Sequence, residues 1–246
     1  MNLLETTKLV KTYSGRTVVD QVSFVLRQQE IVGILGRNGA GKTTTFRMIM
    51  GMIKPDSGAV AFNGYDITHL PMYKRARRGI GYLSQERSDF RRLTVWQNLQ
   101  AILETLSNLT RAERDKRANV LLDQYGLLKL RNQRAETLSG GERRKLEIAR
   151  SLVTQPMLIL LDEPFSGVDP IAVEDLQREV RRLKHEFGKS VLITDHNVPQ
   201  TLKVCDRGLI IDDGKKIKEG TPREIINDPQ VRAAYLGNTF RGDEFD

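Results

Sequence analysis

Gly36-Arg37-Asn38-Gly39-Ala40-Gly41-Lys42-Thr43 follows directly on the apolar run Ile31–Leu35. Gly36 and Gly41 enclose four residues and are followed by Lys and Thr, the spacing of a phosphate-binding loop. The run before it reads as a strand buried on both faces. A helix is expected to begin near Lys42. A glycine loop between such a strand and such a helix aims backbone N–H groups and the positive helix end at an anion. Lys42 is then placed to reach the β and γ phosphates of a nucleotide, and the Thr43 hydroxyl to bind Mg²⁺.

Outward from this loop, short β-rich runs alternate with helical patterns, which predicts an α/β core. Further strands are expected at 18–26, 59–62, 80–83, 157–161, 191–194 and 208–211. Thr110 with Glu113 forms a capping box before a helix running toward Tyr125. Asp169-Pro170 places a cap and then a proline at the first helical position of a segment through Phe187. Thr221-Pro222 and Asp228-Pro229 repeat that device. Between 86 and 154 the strand signals fade, which predicts a helical subdomain inserted into the core.

Three more segments carry chemistry. Leu138-Ser139-Gly140-Gly141-Glu142 is a second flexible glycine turn feeding a helix, and so a second anion site by geometry. The strand at 157–161 ends in Asp162-Glu163-Pro164. A carboxylate at a strand end beside a phosphate loop suits a water-mediated Mg²⁺ contact. Asp162 is read as the metal acid, and Glu163 as the group that orients or deprotonates water. His196 stands just past the strand at 191–194, again where α/β sheets bind ligands. His69 and His185 have no such setting and are expected on the surface.

Composition narrows the class. The 246 residues contain 39 Lys and Arg against 31 Asp and Glu, a formal charge of +8 that suggests an anionic partner. Residues 74–92 hold seven basic and two acidic side chains. The single cysteine, Cys205, excludes an intrachain disulfide and reads as a small packed side chain. Three histidines and one cysteine make a zinc site a poor fit. The longest apolar runs fall far short of the ~20 residues of a bilayer span. The start of the chain has no apolar signal core, so cytosolic residence is expected, with a peripheral membrane role open.

With these motifs in hand, the chain resembles the nucleotide-binding domain of ABC transporters. The pentapeptide Leu138 to Glu142 matches that family's signature, and the likeness covers nearly the whole chain as a single domain. It implies a P-loop NTPase fold: a RecA-like core (about 1–85 and 155–220) with an antiparallel β subdomain, an inserted helical subdomain (about 86–154) and a helical tail (about 221–246). By resemblance, Tyr13 looks like the aromatic that stacks on adenine. Gln85 sits where the family's glutamine meets Mg²⁺ and the attacking water. Asp169 belongs to a D-loop, and His196 matches the switch histidine. Residues 36–44 (Thr44 included) and 138–142 are implied to bind ATP with Mg²⁺, from opposite subunits of a head-to-tail homodimer.

Within the family, Gly79 to Leu83, Gln85-Glu86, Phe90 to Leu93, Asp162 to Pro170 and Thr194 to Val198 are similar to the lipopolysaccharide-export group. That likeness implies two permease partners, a place on the cytoplasmic face of a bacterial inner membrane, and partner contacts at Phe90 and Arg91. Arg37 departs from the proline commonest at its position, and Ser84 from a usual proline. The alternatives are the ATPase subunit of a branched-chain amino acid importer and a soluble ATPase acting on nucleic acid. Nucleic-acid binding is not expected, since the chain has one cassette and no sustained heptads.

Overall fold

The computed structural model describes residues 1–84 and 88–236, so Gln85 and Glu86 lie outside the described residues, as does the acidic end of the chain. The chain opens on β1 (Asn2–Tyr13) and β2 (Arg16–Arg27), then β3 (Ile31–Leu35) and helix α1 (Lys42–Met50). Next come β4 (Ser57–Phe62), β5 (Tyr65–Asp66), α2 (Met72–Arg77) and β6 (Ile80–Leu83). Helices α3 (Val95–Leu103), α4 (Arg111–Gln124) and α5 (Gly140–Leu152) lie between β6 and β7 (Leu158–Asp162). Then follow α6 (Pro170–His185), β8 (Ser190–Asp195), α7 (Val198–Leu202), β9 (Arg207–Asp212) and β10 (Lys215–Gly220). The described chain ends in α8 (Pro222–Ile226), α9 (Pro229–Val231) and a wide turn over Arg232–Leu236.

Two sheets result. One has four strands in the order β2-β1-β4-β5, paired antiparallel. The other has six in the order β10-β9-β3-β8-β7-β6, parallel from β9 to β6. Every residue of β3 is buried, as a central parallel strand covered on both faces requires. One apolar cluster fills the space between the two sheets, around Phe46, Phe62, Ile34 and Leu209. A second, around Leu99, Leu122, Leu146 and Val180, joins α3–α6 to the other face of the parallel sheet. Cys205 is buried there, and burial pushes its thiol above the ordinary range, so it is a packed side chain.

Three strands were not expected: the two-residue β5, which pairs only with β4, and the longer β1 and β10. β1 does not alternate cleanly: its pairing with β2 slips register between Thr6 and Leu9, and Lys8 adopts φ 47°. A bulge of this kind breaks the period of two on which strand recognition rests. β10, Lys-Lys-Ile-Lys-Glu-Gly, is an edge strand, where lysines block pairing with other chains.

The basic stretch 74–92 is also less of a surface than its sequence suggests. Arg75 is 1% exposed. Its guanidinium donates to the carbonyls of Leu70 (2.8 Å), Thr68 (2.9 Å), Met48 (2.8 Å) and Ile49 (2.6 Å). The last two belong to the final turn of α1, whose carbonyls have no partner within the helix. Arg75 therefore caps the helix that carries the glycine loop at its other end. Burial lowers its pKa to about 10, with nearby Asp66 opposing the shift, and it stays charged at neutral pH. Arg75→Ala takes a donor from four carbonyls, of which that of Met48 keeps the Gly51 N–H at 3.2 Å, and is expected to cost roughly 3 kcal/mol or more of stability. An unchanged midpoint in urea denaturation would refute this role. Lys74, Arg77 and Arg78 remain exposed.

Candidate functional site

The order of the parallel sheet brings three of the predicted segments to one edge. The glycine loop leaves the carboxyl end of β3, Glu163 follows the end of β7, and His196 the end of β8, which lies between them. Register aligns Leu35 with Asp195 and Asp162 with Thr194 across neighbouring strands.

The loop is built tightly. Gly41 stands at φ 101°, and a Cβ there would drive into the Val18 carbonyl, so only glycine fits. The Ala40 carbonyl accepts from Gly214 N–H (3.0 Å), tying the loop to the turn between β9 and β10. The Lys42 ammonium is buried and donates to the Arg37 carbonyl at 2.9 Å. Burial pushes its pKa below the ordinary lysine range, while Glu163, Asp195 and Asp162 push it back up. Those carboxylates therefore surround the loop lysine closely enough to act on it. Arg37, Asn38 and Gly39 are exposed, and Thr43 and Thr44 are half-buried at the start of α1.

The acidic side of the site is fixed by one polar chain. The Thr194 hydroxyl donates to Asp162 Oδ1 at 2.7 Å, and the Glu163 N–H donates to the Thr194 carbonyl at 2.8 Å. Glu163 adopts φ 43°, a left-handed conformation costly for a residue with a side chain. That turn holds its carboxylate 3.5 Å from His196 Nδ1. Asp195, fully buried, accepts from the Phe165 N–H (3.2 Å) and the Asn197 N–H (2.9 Å), and its Oδ1 lies 3.6 Å from His196 Nδ1. Asp195 and Thr194 were not singled out from the sequence. Their signal was present in Thr194-Asp195-His196: a polar pair closing an otherwise apolar strand.

The second glycine turn begins α5 as predicted. Ser139 Oγ accepts from the Glu142 N–H (3.3 Å), and Glu142 returns the bond to the Ser139 N–H (2.9 Å) and hydroxyl (2.7 Å). The hydroxyl and then the amide of Ser139 hold the Glu142 carboxyl below its ordinary range. A cleft of about 580 Å³ is lined by Gly140, Gly141, Lys145, Glu163 and Ser166, among others. None of residues 36–44 lines it. Within one chain, the signature turn thus faces the Glu163 side but not the glycine loop. Asp169 is exposed and caps α6 through Ala172 N–H at 3.0 Å.

Tyr13 ends β1 with its ring 46% exposed and the Lys11 ammonium 5.4 Å from its centre. Phe90 is 48% exposed, with the Arg150 guanidinium 4.7 Å from its ring, and Arg91 is exposed beside it. His69 and His185 are surface residues. The oxygen donors Thr43 and Asp162 suit Mg²⁺, a hard cation that keeps several of its waters. Among the described residues, no group of three or more His, Cys, Asp or Glu is arranged to hold a metal without help from a substrate.

Comparison with known proteins agrees with this geometry. A family model described as ABC transporter matches residues 19–166, and one described as branched-chain amino acid ATP-binding cassette transporter matches residues 215–241. The chain is 50% identical to the lipopolysaccharide export system ATP-binding protein of Haemophilus influenzae, over 98% of this chain and all of that one. The same figures hold for the protein of that name from Escherichia coli K12. An uncharacterized ABC transporter ATP-binding protein of Rhizobium meliloti is 52% identical over 94% of this chain and 85% of that one. Among solved structures, the ADP conformation of an ATP-binding cassette of an ABC transporter superposes with TM-score 0.84 at 29% identity, covering 96% of this chain and 99% of the other. A dimeric post-hydrolysis cassette bound to ADP and phosphate gives 0.74 at 26% identity, covering 90% and 99%.

Proposed function

This chain belongs to the ABC transporter ATP-binding family and is an ATPase of that kind, and we propose that it powers lipopolysaccharide export from a bacterial inner membrane. The observation that carries the exporter assignment is identity of 50% across the full length of two lipopolysaccharide-export proteins. In this reading two copies close head to tail around two ATP molecules. Residues 36–44 of one copy and 138–142 of the other face each nucleotide, and Tyr13 stacks on the base. That arrangement gives the signature turn, set apart from the glycine loop within one chain, a ligand in the partner's loop.

The residues then divide the chemistry. The backbone of residues 36–41 cradles the phosphates, and Lys42 meets the β and γ groups as charge builds on them. Thr43 and Asp162, with Gln85, would hold Mg²⁺, which when bound draws charge from the β- and γ-phosphate oxygens. Glu163 takes a proton from the attacking water, and His196, whose Nδ1 lies 3.5 Å from the Glu163 carboxylate, contacts the γ-phosphate. Asp195 fixes the backbone on both sides of that pair. Asp169 of the D-loop reaches across the closed dimer.

No helix among the described residues is long and apolar enough to cross a membrane. We place the chain on the cytoplasmic face of that membrane, beneath two permease subunits, with residues 86–154 as the helical subdomain and 221–246 as the tail. Phe90 and Arg91 are exposed, and Arg150, whose guanidinium lies over the Phe90 ring, also lines a groove of about 240 Å³ with Met72, Tyr82 and Ser88. An exposed ring beside such a groove fits an interface anchor.

The test is affinity purification from membranes. Two lipopolysaccharide-export permeases are expected with the wild-type chain. Phe90→Ala should recover about tenfold less of them while its soluble ATPase rate stays within about twofold. Full recovery by that variant removes Phe90 from the interface. A second reading, the ATPase of a branched-chain amino acid importer, is favoured by the match at residues 215–241. Recovery of amino-acid importer permeases would install it instead.

A further inference from the structure

The Arg37 side chain does not turn toward the phosphate cradle. It leaves the loop on the opposite side and reaches the C-terminal turn, 197 residues later in the chain. Its Nε and Nη2 both donate to the Ala234 carbonyl, at 3.2 and 2.6 Å, and its guanidinium lies 5.4 Å from the centre of the Tyr235 ring. The Tyr235 hydroxyl donates to the Ile211 carbonyl at 3.4 Å. Burial, with Asp212 beside it, pushes the Tyr235 phenol up to about 12, so it remains a donor at neutral pH. Ile211 also bounds the loop directly, since a Cβ on Gly36 would drive into its carbonyl.

The turn itself is anchored. Val231 is fully buried among Leu35, Val198, Leu202, Ile210 and Ile225, and Tyr235 packs against that cluster. Leu35 is the last residue before the glycine loop, and Val198 begins the helix two residues after His196. The tail therefore rests on both segments that meet the nucleotide, and grips one of them through Arg37.

We propose that Arg37 and Tyr235 form a latch by which the C-terminal turn holds the nucleotide loop ready for ATP. Arg37 acts through its side chain as a positioning residue, and Tyr235 with it. Arg37 places its own carbonyl where Ala40 N–H (3.2 Å) and Lys42 (2.9 Å) find it, which shapes the loop. With the latch open, the exposed segment 37–39 samples more conformations, and ATP must order it on binding. The cost falls on affinity, not on the chemical step. The proposal rests on the ATPase reading only for its kinetic half.

The full chain is assayed for hydrolysis against ATP concentration and, separately, for binding of a fluorescent ATP analogue. Arg37→Ala and Tyr235→Ala should each raise KM and Kd roughly three- to tenfold, with kcat within about twofold of wild type. The double variant should fall short of the sum of the two single effects, since the guanidinium–ring contact is lost in either one. Tyr235→Phe keeps the ring under the guanidinium and should stay within about twofold of wild type. Unchanged KM and Kd, additive effects, or a fall in kcat at constant KM overturn the latch. A wild-type chain that binds the analogue without hydrolysing ATP would sink the ATPase reading, and the Kd series would still decide the latch. If Arg37→Ala fails to fold, Arg37→Lys, which loses the planar fork, takes its place with Tyr235→Ala.

Discussion

Glu163→Gln should bind ATP nearly as the wild type does and yet turn it over at least about a hundredfold more slowly. The substitution keeps the length of the side chain and its capacity to hydrogen-bond. It removes the negative charge and, with it, the ability to take a proton. The strained turn at φ 43° is held by the Glu163 N–H on the Thr194 carbonyl, a backbone contact that glutamine preserves. His196 at 3.5 Å keeps a polar neighbour. In the proposed reading the phosphates are gripped by residues 36–44, which the change does not touch. A large loss in kcat with little loss of affinity is the pattern of a group needed only in the transition state. Phosphate release and equilibrium binding, measured on the same preparation, check it. In the closed-dimer reading the variant should also elute as a dimer when ATP and Mg²⁺ are present. Release of phosphate at the wild-type rate removes Glu163 from the chemistry and leaves its strained turn unexplained.

The parts of this site that sequence revealed are those where chemistry demands a residue type at a strand end. A phosphate loop needs glycines followed by Lys and Thr, and an apolar strand has no reason to end in Asp-Glu or Thr-Asp-His unless those groups are used. β3 and β6 were legible to the residue, because a run of apolar side chains bounded by glycine has few other readings. β1 was hidden by the bulge at Lys8, which moves the later side chains off the period of two. β10 was hidden by its lysines, which an edge strand tolerates and a central strand does not.

Three features of the site lay beyond pattern. The left-handed turn at Glu163 is imposed by hydrogen bonds from a neighbouring strand, and nothing in Asp-Glu-Pro announces it. Arg75 looked like part of a basic surface, because a count of charges cannot see four carbonyls arriving from α1 and from the chain between β5 and α2. Arg37 looked like a phosphate ligand by position. Its partner lies so far along the chain that only the packing of the tail against Leu35 and Val198 brings the two together.

Lys42→Ala tests the other half of the site, and its effect should depend on the number of phosphates. In the free chain the ammonium is satisfied by the Arg37 carbonyl at 2.9 Å. In the proposed reading that bond gives way to the phosphates. A buried cation among Asp162, Glu163 and Asp195 is already costly enough to depress its own pKa, with the three acids resisting. A polyphosphate brings it a stronger partner, with charge-assisted hydrogen bonds in place of one to a neutral carbonyl. Removing it should weaken ATP by about tenfold or more, which at ~1.4 kcal/mol per decade is within the range of one charged contact. ADP should suffer less, and AMP, which has no β or γ phosphate to meet, should be nearly unaffected. Folding should survive, because the Arg37 carbonyl still accepts from the Ala40 N–H at 3.2 Å and is not orphaned. Calorimetric titration with the three nucleotides gives the gradient directly. Equal losses for all three would mean that the substitution distorts the loop as a whole. Unchanged ATP affinity would mean that the lysine never leaves the Arg37 carbonyl, and that the backbone cradle alone holds the nucleotide.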